Sequence, residues 1–193
     1  MSPTTGAQVY TGPTTTASGA LQGVGVRVNG ALVTAAGTSL NARTGTLNLN
    51  GTVNAGANAL RLIGDDIDLG GAITSTGALA VETFSAGRAI TLGASTPTAN
   101  TLSLTASELG QLPASLASLS IGVANSGNIA LAGNLAAGTT ALALTTGGAI
   151  QQTAGGITSG ALTVSAPGAV SLTSATNAFG AVTVSTAPSA LSL

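Results

Sequence analysis

Leu142-Ala143-Leu144, Leu162-Thr163-Val164 and Val182-Thr183-Val184 are three copies of one pattern, two apolar residues flanking a small one, set 20 residues apart. Leu47-Asn48-Leu49 and Ile67-Asp68-Leu69 keep the same spacing, as do Val53 and Ile73, and Leu40 and Leu60. Alternation of this kind turns Leu142 and Leu144 to one face of a strand and Ala143 to the other. Strands this short cannot stand alone. A fixed period near 20 residues therefore points to a solenoid, in which each repeat buries its apolar row against the next.

Three strands fit into each period. With Leu47/Leu49 as the first, Val53 as the second and Leu60/Leu62 as the third, first-strand anchors fall at Val26, Leu47, Ile67, Ile90, Ile129, Ile150 and Val170. Third-strand anchors fall at Leu40, Leu60, Leu79, Leu102, Leu119, Leu142, Leu162 and Val182. The step from first to third strand is 12 or 13 residues at 47→60, 67→79, 90→102, 129→142, 150→162 and 170→182. Gly, Asn and Ser between the strands supply the turns. The expected fold is all-β: a right-handed, single-stranded parallel β-helix of three-strand coils over residues 23–193. Residues 1–22 precede it as an irregular segment or partial coil. About eight coils at ~4.8 Å each make a rod of roughly 40 Å. Outward first-strand positions form a mixed ladder of Arg27, Asn48, Asp68, Thr91, Ala130 and Ser171.

Two places depart from the repeat. Thr105-Ala106-Ser107-Glu108-Leu109-Gly110-Gln111-Leu112-Pro113 replaces a strand. Ser107 or Thr105 suits a helix N-cap, Glu108 a first turn and Pro113 a stop, so a short helical turn is expected near 107–112. At the far end, Leu191 and Leu193 match the first strand of a further coil, so the chain is expected to stop in mid-coil, as a fragment would.

Composition narrows the partners. Charged residues make up 5% of the chain, against about 25% in ordinary domains. Arg27, Arg43, Arg61 and Arg88 are the only cations, too few and too scattered to neutralise a run of phosphates, so nucleic acid is not an expected partner. With no Cys, disulfides and thiolate metal sites are excluded. Mean hydropathy is positive, yet Gly, Thr, Asn or Ser interrupts every apolar run before the ~20 residues a membrane-spanning helix needs. The strands are also too short, and aromatics too few, for a transmembrane β-barrel. Met1-Ser2-Pro3-Thr4-Thr5 has neither the basic nor the apolar region of a signal peptide.

Gly87-Arg88-Ala89-Ile90-Thr91-Leu92-Gly93, Gly64-Asp65-Asp66-Ile67-Asp68-Leu69, and Leu104-Thr105-Ala106-Ser107-Glu108-Leu109 leading to Leu119-Ser120-Ile121-Gly122 resemble filamentous-haemagglutinin-like exoproteins. The likeness is to their β-strand repeats, and these proteins are the large cargo of two-partner secretion. The resemblance runs from about Gly23 onward. It implies a Gram-negative source, an extracellular or cell-surface location and a β-helical shaft that supports adhesion. It also implies flanking coils of a longer protein as the immediate partner, with host-cell or surface glycans reached through other regions. The Asn-Pro-Asn-type motifs of the family's secretion domain do not occur here.

Candidate sites are few. Asp65, Asp66 and Asp68 form the densest polar cluster, and a Ca²⁺ site is the functional reading, since hard cations take several oxygen ligands. The Gly-Gly-x-Gly-x-Asp repeat of calcium-binding β-rolls is absent, and Asp68 alternates with Ile67 and Leu69 as an outward ladder residue. A solvated turn is the expected reading, with no bound metal and no cofactor. A carbohydrate-cleaving or carbohydrate-binding β-helix would draw on Asp68 and Glu82, but these sit on different strands, and glycoside hydrolysis needs two acids flanking one bond. No catalytic residues and no enzymatic activity are expected. Ice binding would need a flat threonine array. Thr163 and Thr183 stack, with Thr145, Ser165 and Ser185 beside them, but Arg61, Ala80 and Ser103 hold the earlier positions. A disordered elastic segment suits the composition and conflicts with the kept register.

Overall fold

The structure, a computed structural model, describes residues 6–193; Met1–Thr5 lie outside the described residues. It is a parallel β-solenoid of about 9 turns, about 20 residues apart. Strands are numbered in chain order and stack on three faces. The first face runs β1 (Gln8–Tyr10), β3 (Val26–Val28), β5 (Thr46–Leu49) and β8 (Asp66–Leu69). A second hydrogen-bonded sheet continues this face with β12 (Thr101–Leu104), which packs against β8 without pairing to it, then β11 (Ala89–Leu92), β14 (Ile129–Ala132), β17 (Ile150–Ala154), β20 (Val170–Ser171) and β23 (Leu191–Ser192). The second face holds the first halves of β2 (Thr14–Gln22) and β4 (Ala31–Asn41), then β6 (Val53–Gly56) and β9 (Ile73–Ser75). Above them lie residues 110–117, then β15 (Leu135–Ala136), β18 (Ile157–Ser159) and β21 (Ala178–Phe179). The third face holds the second halves of β2 and β4, then β7 (Leu60–Ile63), β10 (Ala78–Glu82), β13 (Ser118–Ile121), β16 (Ala141–Thr145), β19 (Leu162–Ser165) and β22 (Val182–Thr186).

Inward rows are aliphatic and closed. In one coil Leu47, Leu49, Val53, Ala55, Leu60 and Leu62 are all at 0% exposure. Burying each of the larger side chains is worth about 1.5–3 kcal/mol, and stacking on the next coil is what supplies the burial. Among the described residues no aromatic ring is fully buried: Tyr10 and Phe179 are half-buried against the core, and Phe84 is exposed. Corners bring backbone onto backbone. A Cβ on Gly51 would collide with the carbonyl oxygen of Gly30, and one on Gly71 with that of Gly51, so this corner is a stack of glycines in register with the strands.

Most of the expected register holds. Leu142 pairs with Leu162 and Leu162 with Val182; Leu47 pairs with Ile67, and Val53 with Ile73. Leu40 pairs with Leu62 rather than Leu60, whose partner is Thr38. The reason is that β4 runs unbroken round the corner between two faces, which lengthens that coil. Below Gly23, β1 and β2 form a coil under β3 and β4.

Leu102 is the main correction. It does not belong to the third face, where Leu79 pairs directly with Leu119. Instead β12 lies on the first face, with Leu102 paired to Ile90 and Ser103 to Thr91. The chain leaves β11 at Gly93 (φ +78), crosses the outside of the sheet through residues 94–100, turns at Asn100 (φ 58) and returns parallel to β11. β12 packs against β8, and β11 against β14, so the stacking order is β8, β12, β11, β14. One extra rung is inserted on this face alone. The crossing segment covers outward positions that are open elsewhere: Thr91 is 8% exposed and Ser103 3%.

Candidate functional site

The chemistry-bearing side chains gather around the inserted rung, and most are spent on neighbouring coils. Of the three aspartates proposed from sequence, each faces a different partner. Asp65 is buried, and its carboxylate accepts from the Ser85 backbone N–H at 2.7 Å and from the Ser85 hydroxyl. Asp66 is exposed and accepts from Thr46 Oγ1 at 2.9 Å. Asp68 accepts from Asn48 Nδ2 at 2.7 Å, as an outward ladder residue should. Among the described residues no group of three or more His, Cys, Asp or Glu side chains is arranged to hold a metal ion. Partial burial pushes the Asp68 carboxyl above the ordinary carboxylate value, and the nearby Glu108 and Asp66 charges push the same way; Arg27 opposes them.

Glu82 stands on the third face, away from the first-face sheet that carries Asp68, and is held by Arg61. The guanidinium donates to both carboxylate oxygens, Nε at 3.0 Å and Nη2 at 2.6 Å. This fork is the most favourable geometry for the pair, and it raises the Arg61 pKa through the hydrogen bond and then the charge of Glu82. The two carboxyl groups proposed to act together on a glycan are therefore separately engaged.

Two polar arrangements escaped the sequence reading. Arg88 reaches across the rung that has no turn of its own, donating from Nε to the Asp65 carbonyl at 3.0 Å and from Nη2 to the Thr101 carbonyl at 3.4 Å. Glu108 does more than begin a helix. α1 (Ala106–Leu109) is capped by Thr105, whose hydroxyl accepts from the Glu108 N–H, while Glu108 Oε2 accepts from the Thr105 N–H at 2.8 Å. The other oxygen, Oε1, accepts from the Leu69 N–H at 3.2 Å and ties the helix to the end of β8. Thr-x-x-Glu is the capping-box spacing, which was the available signal.

On the third face the outward ladder reads Ser39, Arg61, Ala80, Ser120, Ala143, Thr163, Thr183. Ser120, rather than Ser103, occupies the rung above Ala80, and a bulge pairs Ser165 with Thr186 instead of Ser185. Threonine holds two consecutive rungs of this ladder, not a continuous array. On the first face Gln151 stands between Ala130 and Ser171, and Ser103 stands below Thr91.

Where residues 110–117 replace a second-face strand, an apolar cleft of about 340 Å³ opens between them and β15, lined by Leu109, Leu112, Pro113, Leu116, Leu119 and Leu135. It holds no charged group and no aromatic ring. Among the described residues no helix is long and apolar enough to cross a membrane. No family model, no curated protein and no solved structure matches the chain.

Proposed function

We propose that this chain is a structural module, a stretch of shaft from a large adhesin secreted by, or anchored on, a Gram-negative bacterium, of the filamentous-haemagglutinin-like kind. One observation carries the reading: polar side chains on the outer faces pair with the next coil rather than converge on a site. Asn50 donates to Asn29, Asn48 to Asp68, and Arg61 to Glu82, each about one turn away. Such ladders reinforce a rod and leave few groups free to recognise a ligand. The work is mechanical. A paired backbone and a closed aliphatic interior resist proteolysis and hold a binding region away from the cell, with flanking coils as the contact at each end. Glycan recognition and export by a dedicated outer-membrane transporter belong to other parts of the longer protein, and this stretch catalyses nothing.

Immunolabelling of intact producing cells with antibody raised against residues 6–193 tests the placement. Surface label is expected, and it disappears when the cognate transporter gene is deleted. Label that appears only after permeabilisation contradicts the reading.

A further inference from the structure

We propose that the β11–β12 pair is a lock that stops the solenoid from unzipping past it in either direction. In a stack of coils each coil contacts only its neighbours, so opening begins at an end and proceeds rung by rung in chain order. Along the rest of the first face, chain order and stacking order agree. Here they are reversed.

Opening from the upper end releases β14, β13 and α1 in turn, and β12 is the next strand due to leave. At that point β12 is packed against β8 on one side and paired with β11 on the other, so it cannot leave without breaking contacts on both sides. Opening from the lower end releases β8 through β10, and the next strand, β11, is still held between β12 and β14. From both sides the strand due to leave is an internal rung, and freeing it disrupts two interfaces rather than one. The two strands must leave together.

Contacts outside the ladder fasten the pair. Arg88, just before β11, donates to the Thr101 carbonyl at the start of β12 and to the Asp65 carbonyl just before β8. Asp65 in turn is held by the N–H and hydroxyl of Ser85, three residues before Arg88. Over the outer surface, Thr98 N–H donates to Ser103 Oγ at 3.2 Å and Thr101 Oγ1 donates to the Thr98 carbonyl at 3.0 Å, which pins the crossing segment onto β12. These bonds have no counterpart in a fold that simply climbs, and the lock holds whatever the rod carries. Its consequence is that damage or load at one end opens only the coils on that side.

Native-state hydrogen exchange on the full chain, followed against denaturant, tests this. Amides of β3–β8 and of β14–β20 should exchange in two separate groups through partial opening, while those of β11 and β12 exchange only with global unfolding. In Arg88→Ala the β11 and β12 amides should speed up about tenfold, with β3 and β20 unchanged, because a charge-assisted hydrogen-bonded bridge is lost. Ser103→Ala, which removes only the acceptor under Thr98, is the milder variant should Arg88→Ala fail to fold, and about threefold is expected of it. Protection that declines smoothly from the middle to both ends, unaltered by either substitution, overturns the lock.

Discussion

Residues 141–165 and residues 89–104 carry the same local pattern and do opposite things with it. In the first, Leu142/Leu144 and Leu162/Val164 belong to successive coils, and the chain passes round the other two faces between them. In the second, Ile90/Leu92 and Leu102/Leu104 are equally regular, yet the chain returns over the outside of the sheet and sets them side by side on one face. Alternation and spacing decide that a strand forms and which way its side chains point. They do not decide which rung it occupies.

The contrast is open to substitution. The largest effect is expected inside the regular stack. Leu144→Asp buries a charge at a position of 0% exposure and should cost on the order of 4 kcal/mol, read from denaturant midpoints. Its neighbour Ala143→Asp faces outward and should stay within about 0.5 kcal/mol of the parent. Equal losses in the two variants would mean that the face assignment is wrong.

Ser103→Asp makes the same outward change in the irregular region. Because the crossing segment covers Ser103, the carboxylate would be shut away from water, and a loss of about 2–3 kcal/mol is expected. A tolerance like that of Ala143→Asp would show that residues 94–100 do not lie across the sheet. Thr105→Ala removes the cap of α1 and should cost about 1 kcal/mol in the same measurement, with far-ultraviolet circular dichroism unchanged because the helix is a single turn.

The smallest effect concerns Asp68. Its folded pKa lies above the unfolded value, so the folded state binds more protons than the unfolded state in that window. Stability from this group is then present at low pH and lost as pH rises through the folded pKa. Asp68→Asn should therefore melt slightly higher than the parent at pH 7, with the gap closing below about pH 3. A gap that widens on acidification would reverse the sign and with it the account of Asp68.

Much of the fold is legible in the sequence because each coil repeats the physical problem of the last: a short apolar row that only its copy can cover. Leu142, Leu162 and Val182 announce this plainly. The inserted rung was hidden because the separation from Ile90 to Leu102 matches the ordinary step from first to third face. One signal could have exposed it. Other coils place a large apolar residue between those anchors, such as Val53, Ile73, Leu135 or Ile157, whereas Gly93-Ala94-Ser95-Thr96-Pro97-Thr98-Ala99-Asn100 has none. A segment with nothing to bury has no reason to form a second face. Arg88 was unreadable for a related reason: its partners are backbone carbonyls, which sequence spacing does not reveal. The glycine stack at Gly30, Gly51 and Gly71 was legible in principle, since it keeps the strand period, although turn composition alone does not show that a Cβ is forbidden there.

The order of rungs is the claim on which the rest depends, and engineered disulfides test it most directly because the chain has no cysteine of its own. Neighbouring rungs bring paired Cα atoms within the ~4.4–6.8 Å that a disulfide spans. Ser103→Cys combined with Thr91→Cys should cross-link on mild oxidation, and Ser103→Cys combined with Ala80→Cys should stay reduced. The reverse outcome would return β12 to the third face and contradict the inserted rung.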